Sequence, residues 1–242
     1  DILMSEKEKY IELLCSEAGK TIKESKIELE RSFQTFLLSS EEAKRINGEV
    51  LSTGSIKNLP NKMGIVIREP IGVVLAITPF NYPLNLVAHK VGPALAANNP
   101  VLLKPSSLTP LTAMQMAQDL FRAGLPNEML QIITGDSNVI GDYLISNKFI
   151  DKISFTGSEA VGENICKNSG MKSISMELGS IDPLIILDDV NIDNAVEIAL
   201  DGAFGNSGQR CTSVKKIIID EKIDDEFSNK LVYKAQKLKV GN

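Results

Sequence analysis

One cysteine and one glutamate have neighbours that suit covalent catalysis. Cys211 lies in the polar segment 206–213, next to Arg210 and just before a β-branched run. A thiol in an accessible, positively charged loop ionises more readily and is then a good nucleophile. Glu177 directly follows another apolar run, and a carboxylate in a partly apolar setting can act as a general base. An inert loop thiol and a structural ion pair are the alternatives that these two residues alone leave open.

The chain has a single histidine, which restricts the possible chemistry. Zinc needs about four ligands, and Cys15, Cys166 and Cys211 are too widely spaced to form a C-x-x-C pair, so we expect no metal site. His89 lies in a helical pattern and is expected on a helix face, so the base for a cysteine nucleophile would not be a histidine. Cys15 and Cys166 also fall in helical patterns and are expected to be buried small hydrophobic residues.

Further polar side chains follow two other apolar runs. Asn81 is enclosed by Pro79 and Pro83, and an amide held in this way can donate a hydrogen bond to a developing oxyanion. An Asx-turn is the simpler interpretation of that segment taken alone. Lys104 and Ser107 follow the next run, where they suit a phosphate or a ribose, or else a solvated lysine before a helix N-cap.

A glycine joins another run to a helical pattern. Gly157 at such a junction would let the backbone approach a pyrophosphate at the helix N-terminus. The segment 155–162 does not contain the G-x-G-x-x-G fingerprint, and Glu163 and Asn164 stand where a P-loop has Lys and Ser or Thr. By itself this junction is a weak signal.

From residue 71 onward, short apolar runs alternate with helical patterns. Strands that are apolar throughout and separated by helices indicate a parallel sheet covered on both faces, which is a doubly wound α/β fold. Ligands of such folds bind at the carboxyl ends of the strands, where the polar residues described above occur. The predicted strands are 71–78, 101–104, 130–134, 152–156, 172–176, 184–187 and 214–219, and the predicted helices lie near 85–97, 110–123, 137–146, 158–168, 192–204 and 222–238.

The first part of the chain has a different pattern. Residues 5–46 show helical spacing of apolar side chains and predict two helices or one bent helix, with Gly19 as a possible break. Residues 47–62 are rich in Gly, Ser, Thr, Asn and Pro and predict a loop, and residues 63–69 predict a strand.

The composition is that of an ordinary globular protein. The 242 residues are 43% hydrophobic and 24% charged, and the net charge of −5 argues against nonspecific binding to nucleic acid or to an anionic membrane. No apolar run approaches the ~20 residues that span a bilayer. An odd number of cysteines without a signal-peptide pattern predicts a reducing, cytoplasmic compartment.

Taken together, these motifs resemble the aldehyde dehydrogenase superfamily from about residue 5 to the end of the chain. Within it the sequence is most similar to the bacterial and archaeal lactaldehyde, phosphonoacetaldehyde and succinate-semialdehyde dehydrogenases. The resemblance implies a non-acylating enzyme that oxidises an aldehyde to a carboxylic acid with NAD(P), through a cysteine thiohemiacetal and a thioester. The matching stretches are ITPFNYPL (77–84), LLKPSSLTP (102–110), ITG (133–135), ISFTGSEAVG (153–162), MELGS (176–180) and GQRCTS (208–213).

The resemblance also implies a role for each site residue. Cys211 would attack the aldehyde, the Asn81 amide and the Cys211 backbone N–H would hold the oxyanion, and Glu177 would activate the hydrolytic water. Relatives that transfer the acyl group to coenzyme A generally lack this base. The residues that the resemblance assigns to cofactor binding are Ile77, Thr78, Pro79, Phe80, Lys104, Ser107, Gly135, Phe155, Gly157, Ser158, Val161, Leu178 and Gly179.

Two positions refine this picture. Relatives that prefer NAD often carry Glu where this chain has Ser107, and Glu would repel a 2′-phosphate that Lys104 attracts. We therefore expect NADP to be accepted and preferred over NAD. Ser180 replaces the second glycine of the usual Glu-Leu-Gly-Gly stretch, and it would strain the turn if that position needs a conformation that only glycine favours.

Members of this superfamily are considerably longer, so we expect the chain to be a fragment with an incomplete aldehyde dehydrogenase fold, a Rossmann-like doubly wound parallel sheet. Residues 1–51 would be the helical part of the cofactor-binding domain, 52–70 half of a bridging hairpin for oligomerisation, 71–178 the NAD(P)-binding domain and 179–242 the start of the catalytic domain. The expected partners are a small aldehyde and, if the chain is complete, identical subunits in a homodimer or homotetramer. A truncated product that binds dinucleotide or partners without turnover is the alternative.

Overall fold

The computed structural model describes residues 2–52 and 62–241. The chain forms two compact units. The first comprises Asp1–Thr156 and Ala160–Met176, and the second comprises Gly157–Glu159 and Glu177–Asn242. No helix within the described ranges has the length and apolar character needed to cross a membrane.

The first unit alternates helices with short strands. Its helices are α1 (Ile2–Ser5), α2 (Lys7–Ala18), α3 (Ile22–Ala43), α4 (Asn85–Ala96), α5 (Pro110–Arg122), α6 (Ser137–Ser146) and α7 (Glu159–Asn168, whose first residue belongs to the second unit). Its strands are β1 (Glu49–Leu51), β2 (Gly64–Val66), β3 (Val74–Ile77), β4 (Val101–Lys104), β5 (Leu130–Ile132), β6 (Lys152–Thr156) and β7 (Ser173–Glu177, whose last residue belongs to the second unit).

A five-stranded sheet in the order β5-β4-β3-β6-β7 organises the first unit. The central strand β3 pairs in parallel with both β4 and β6. Val74, Leu75 and Ala76 are all buried, so β3 is covered on both of its faces. The predicted doubly wound α/β class is therefore confirmed, and the strand boundaries differ from the predicted ones mainly by shorter ends.

The break predicted at Gly19 separates two helices. Gly19 ends α2 in the left-handed conformation, with φ 64°, and donates its N–H to the Cys15 carbonyl. Thr21 then begins α3 with a capping box, in which its hydroxyl accepts from the Glu24 N–H and the Glu24 carboxylate accepts from the Thr21 N–H. These two caps fix where α3 begins and therefore which of its side chains are buried.

The second unit has its own small core. It contains β8 (Pro183–Ile186), α8 (Ile192–Phe204), β9 (Lys216–Ile219) and α9 (Asp224–Ala235), and β8 pairs in parallel with β9. Ile186, Val196, Ala199 and Phe227 are buried together between these elements. The strands and helices of the second unit thus pack on each other around this cluster.

Two expectations from the sequence are wrong. The predicted loop 47–62 contains β1, which pairs antiparallel with β2, and residues 53–61 of that loop lie outside the described residues. A strand of three residues is difficult to predict from sequence when its neighbours are polar residues and glycine. Cys166 lies on α7 as predicted but is exposed, whereas Cys15 is half-buried against the core.

The core of the second unit yields a stability prediction. Phe227→Ala in the full-length protein should destabilise the fold by ~3–5 kcal/mol, because it removes a buried aromatic ring. Tyr233→Ala on the same helix is the control, since Phe227 is 2% exposed and Tyr233 is 60% exposed. Urea unfolding curves would compare the two, and equal losses of stability would contradict the packing described.

Candidate active site

Cys211 lies in a tight turn that follows α8. Asn206, Ser207 and Gly208 have φ values of 53°, 56° and 72°, so the chain makes three successive left-handed steps. The positive φ of Gly208 favours glycine, and a Cβ atom there would also lie in a tight contact, 3.0 Å from the Ala203 carbonyl oxygen. Cys211 follows this turn, lies before β9 and is exposed.

The ammonium group of Lys215 holds the backbone of this turn. Lys215 Nζ donates to the carbonyl oxygens of Arg210 at 3.2 Å, Cys211 at 3.1 Å and Ser213 at 3.4 Å. Ser213 closes the turn from within, because its hydroxyl donates to the Gly208 carbonyl at 2.8 Å and accepts from the Arg210 N–H. The backbone carrying the thiol is thus fixed by side chains of the same unit.

Arg210 anchors the turn to the end of α8. Its guanidinium donates to the carbonyl oxygens of Asp201 and Gly202, and cations are favourable at a helix C-terminus. A Cβ atom at Gly205 would lie 2.8 Å from a guanidinium nitrogen, so glycine permits this approach. Arg210, the cation next to Cys211 in the sequence, therefore mainly stabilises the turn.

Glu177 ends β7 and is exposed. Its carbonyl oxygen accepts from the Gly157 N–H at 3.1 Å, which brings the predicted base and the predicted pyrophosphate turn together. The Ser180 hydroxyl donates to the Asp182 carboxylate at 2.9 Å. The positive φ in this stretch is at Asp182, with 41°, and not at Ser180, so the strain considered for Ser180 does not arise.

Asn81 is half-buried in the loop 78–83, which connects β3 to α4. The loop leads directly into the first turn of α4, where Leu84 and Asn85 donate their backbone N–H groups to Glu28 Oε1 at 2.9 and 3.0 Å. The end of the loop is therefore tied to α3 through one buried carboxylate.

Several polar groups gather at the carboxyl ends of β3 and β4. The Ser107 hydroxyl donates to the Gly135 carbonyl at 3.2 Å, so two predicted cofactor residues meet. Lys104 is 4% exposed, and burial lowers its pKa, an effect that the Asp136 carboxylate partly offsets. The buried Thr78 hydroxyl has no hydrogen-bond partner among the described residues. An unsatisfied hydroxyl and a buried ammonium at a strand end suit the hydroxyl and phosphate groups of a dinucleotide.

The other predicted cofactor residues differ in exposure. The Phe155 side chain is buried in β6, so it supports the strand end from the core instead of lining an open groove. The remaining side chains and turn residues are at least partly accessible: Ile77, Pro79, Phe80, Ser158, Val161, Leu178 and Gly179.

Comparison with known proteins decides the family. The model of the aldehyde dehydrogenase family matches residues 1–242. The chain belongs to the aldehyde dehydrogenase family. The 3-sulfolactaldehyde dehydrogenase of Priestia aryabhattai is 44% identical over 242 residues, which are 100% of this chain and 51% of that protein. The lactaldehyde dehydrogenase of Methanococcus aeolicus is 42% identical over 246 residues, covering 99% of this chain and 51% of that protein.

A solved structure of the family has the same fold. The NADP-dependent glyceraldehyde-3-phosphate dehydrogenase from Bacillus halodurans C-125, complexed with NADP, superposes with a TM-score of 0.96 at 38% identity, covering 100% of this chain and 51% of that one. The chain spans about half the length of the curated relatives that it matches. The predicted aldehyde dehydrogenase family and fold class are confirmed over that half.

Two residues of this aldehyde dehydrogenase chain were missed by sequence reasoning. Lys215 directly precedes β9. A lysine at the start of a strand is normally exposed to solvent, so its role in holding the turn was not predicted. Glu28 lies on the same helix face as Ser25, Leu29 and Ser32, all of them buried. A charged residue on the inward face of an amphipathic helix is the signal that could have identified Glu28.

Proposed function

We propose that this chain supplies the nucleophile, the base, the oxyanion donor and most of the cofactor groove of an aldehyde dehydrogenase that uses NADP in preference to NAD. The observation that carries the proposal is the exposed Cys211 thiol on a turn pinned by Arg210 and Lys215. The family model matched over the whole chain supports the same chemistry. Because the chain spans about half of its relatives' length, the activity is proposed for the full-length protein.

The proposed substrate is a short 2-hydroxyaldehyde. The names of three matched relatives specify 3-sulfolactaldehyde, lactaldehyde and glyceraldehyde 3-phosphate. All three are three-carbon aldehydes with a hydroxyl at carbon 2, and two of them carry an anionic group at carbon 3. This shared chemistry defines the panel with which the protein should be tested.

In the proposed mechanism the Cys211 thiolate attacks the aldehyde carbon and forms a thiohemiacetal oxyanion. The Asn81 amide and the Cys211 backbone N–H donate hydrogen bonds to that oxygen. Lys104, Ser107 and the turn at Gly157 would hold NADP, which when bound would supply the hydride acceptor needed to oxidise the adduct to a thioester. Glu177 takes a proton from a water molecule, the resulting hydroxide attacks the thioester carbon, and the acid leaves as the Cys211 thiolate is regenerated.

The cofactor preference rests on the end of β4. Lys104 and Ser107 would bind the adenosine ribose and its 2′-phosphate, and neither adds negative charge. Asp136 acts on Lys104 electrostatically and would compete with the phosphate for the ammonium. The NADP-bound relative at 38% identity supports NADP as the cofactor.

We also propose that the full-length protein forms a homodimer or homotetramer in the cytoplasm. The segment 52–70 would supply part of a bridging element between subunits. The β1-β2 pair supports this role because it exposes large apolar side chains that a partner subunit could cover: Val50, Leu51, Met63, Ile65 and Ile67.

The nucleophile is tested by exchanging two exposed cysteines. Cys211→Ser should abolish NADPH formation, measured by absorbance with the 2-hydroxyaldehyde panel, because an alcohol is a far weaker nucleophile than a thiolate. Cys166→Ser removes the other exposed thiol and should leave the rate near that of the wild type. Full activity of Cys211→Ser would overturn the assignment.

The base is tested by separating the two half-reactions. Glu177→Gln should retain a first burst of NADPH but lose steady turnover by ~10²-fold or more, since hydrolysis of the thioester needs a proton acceptor. Glu226→Gln, an exposed carboxylate of α9, is the control. Unchanged steady turnover in Glu177→Gln would remove this residue from the mechanism.

Cofactor choice is tested at Ser107. Ser107→Glu should lower kcat/KM for NADP by ~10-fold or more, because its carboxylate repels the 2′-phosphate, and should change kcat/KM for NAD less. Ser107→Ala loses the hydrogen bond to Gly135 without adding charge and serves as the control. If Ser107→Glu lowered kcat/KM equally for NADP and NAD, the proposed position of the 2′-phosphate would be wrong.

A further inference from the structure

A buried ion pair lies beneath the loop that carries Asn81. The carboxylate of Glu28 on α3 and the ammonium of Lys20 are 2.6 Å apart, and their side chains are 0% and 2% exposed. The pKa of Lys20 is lowered by burial, and the Glu28 carboxylate partly offsets this effect. Charged groups taken this far out of water need close and specific partners, so the positions of both side chains are tightly restricted.

Glu28 uses its other oxygen to hold the start of α4. Oε1 accepts the backbone N–H groups of Leu84 and Asn85, which have no intrahelical partner in the first turn. Leu84 offers no side-chain cap of its own. The negative charge also lies at the positive end of the helix dipole, so Glu28 fixes both the position and the direction of the helix start.

Lys20 holds the same loop two residues before Leu84. Its Nζ lies 3.6 Å from the centre of the Tyr82 ring, in a cation–π contact. Tyr82 is the neighbour of Asn81 in the chain, and the Tyr82 carbonyl accepts the Leu86 N–H at 3.0 Å. Lys20 and Glu28 therefore hold the chain on the carboxyl side of Asn81, first at Tyr82 and then at the start of α4.

The other end of the loop is fixed by the sheet. Thr78 donates its N–H to the Lys104 carbonyl at 3.2 Å, which continues the pairing of β3 with β4. Pro79 and Pro83 restrict the backbone in between. Asn81 thus lies in a short segment with two rigid residues and two anchored ends, and the position of its amide depends on where α4 begins.

We propose that Glu28 and Lys20 are positioning residues that set the place of the Asn81 amide for the oxyanion. The inference rests on the proposed function, in which Asn81 donates to the thiohemiacetal oxygen. A donor contributes fully only when it already points to the site of the developing charge, and a misplacement of 1 Å can cost ~10²-fold in rate. The buried pair would thus act on catalysis without contact with the substrate.

The test compares three variants of the full-length protein. Glu28→Ala removes both hydrogen bonds to α4, and Glu28→Gln keeps a side-chain oxygen that can accept them. Tyr10→Phe is the control: it removes a buried hydrogen bond to Asp119 on α5, at 2.7 Å, in the same hydrophobic core and keeps the aromatic ring. Single-turnover NADPH formation at saturating NADP, with enzyme in saturating excess over lactaldehyde, gives a first-order rate constant that does not scale with the folded fraction.

A positioning role predicts a specific pattern. Glu28→Ala should lower the single-turnover rate constant by ~10²-fold, Glu28→Gln should recover most of that loss, and KM for NADP should stay within about twofold of the wild type. Tyr10→Phe should keep the wild-type rate constant. Equal rate constants in Glu28→Ala and Tyr10→Phe would overturn the inference while leaving the proposed function intact.

A second readout keeps the inference separate from the activity. Hydrogen exchange of the peptide 78–88 should be faster in Glu28→Ala than in the wild type and unchanged in Tyr10→Phe. If the wild type oxidises no aldehyde in the panel, the proposed function fails, and unchanged exchange in this peptide would overturn the anchoring as well. If Glu28→Ala does not fold, Tyr82→Leu, which removes the contact between Lys20 and the ring, takes its place. A rate constant and an exchange rate in Tyr82→Leu equal to those of Tyr10→Phe would overturn the inference.

Discussion

The parallel register of the central strands is the constraint on which the cofactor edge depends. Ile77 at the end of β3 is level with Lys104 at the end of β4 and with Phe155 near the end of β6. Because both faces of β3 are buried, a shift by one residue would exchange its two apolar faces and also move every strand end. The polar groups that follow these strands are therefore brought to one edge by hydrophobic packing, and the chemistry at that edge needs no separate organising element.

The helices that follow β3 and β4 are both capped by carboxylates from the N-terminal part of the chain. Glu28 on α3 accepts two N–H groups at the start of α4, and Glu17 on α2 accepts the Leu111 N–H together with the N–H and hydroxyl of Thr112 at the start of α5. Each carboxylate satisfies donors that a helix leaves free and meets the positive end of its dipole. The N-terminal helices thus determine where the loops before α4 and α5 can lie.

Elements with a strong period were predictable, and contacts between distant segments were not. The bounds of β4, β6 and α8 agree with the predicted ones. An apolar run marks β4 and a regular helical face marks α8, whereas β6 alternates the buried Ile153 and Phe155 with more exposed residues. The strand β1 and the exposure of Cys166 were missed because each depends on the neighbours supplied by the fold. Motif order identified Cys211, Glu177 and Asn81 as candidates, yet Glu28 escaped notice because its partners are backbone groups 56 and 57 residues away.

Arg210 illustrates how the structure changes an electrostatic argument made from sequence. The sequence suggests that this cation helps to ionise the neighbouring thiol, but its guanidinium donates to carbonyls in the last turns of α8. Lys215, four residues after Cys211, brings a second cation to the Cys211 carbonyl itself. The positive charge around the nucleophile is therefore committed to backbone oxygens and holds the turn in one shape. Since a fixed turn costs little reorganisation during the reaction, the main contribution of both residues is preorganisation of the Cys211 backbone, including the N–H proposed to bind the oxyanion.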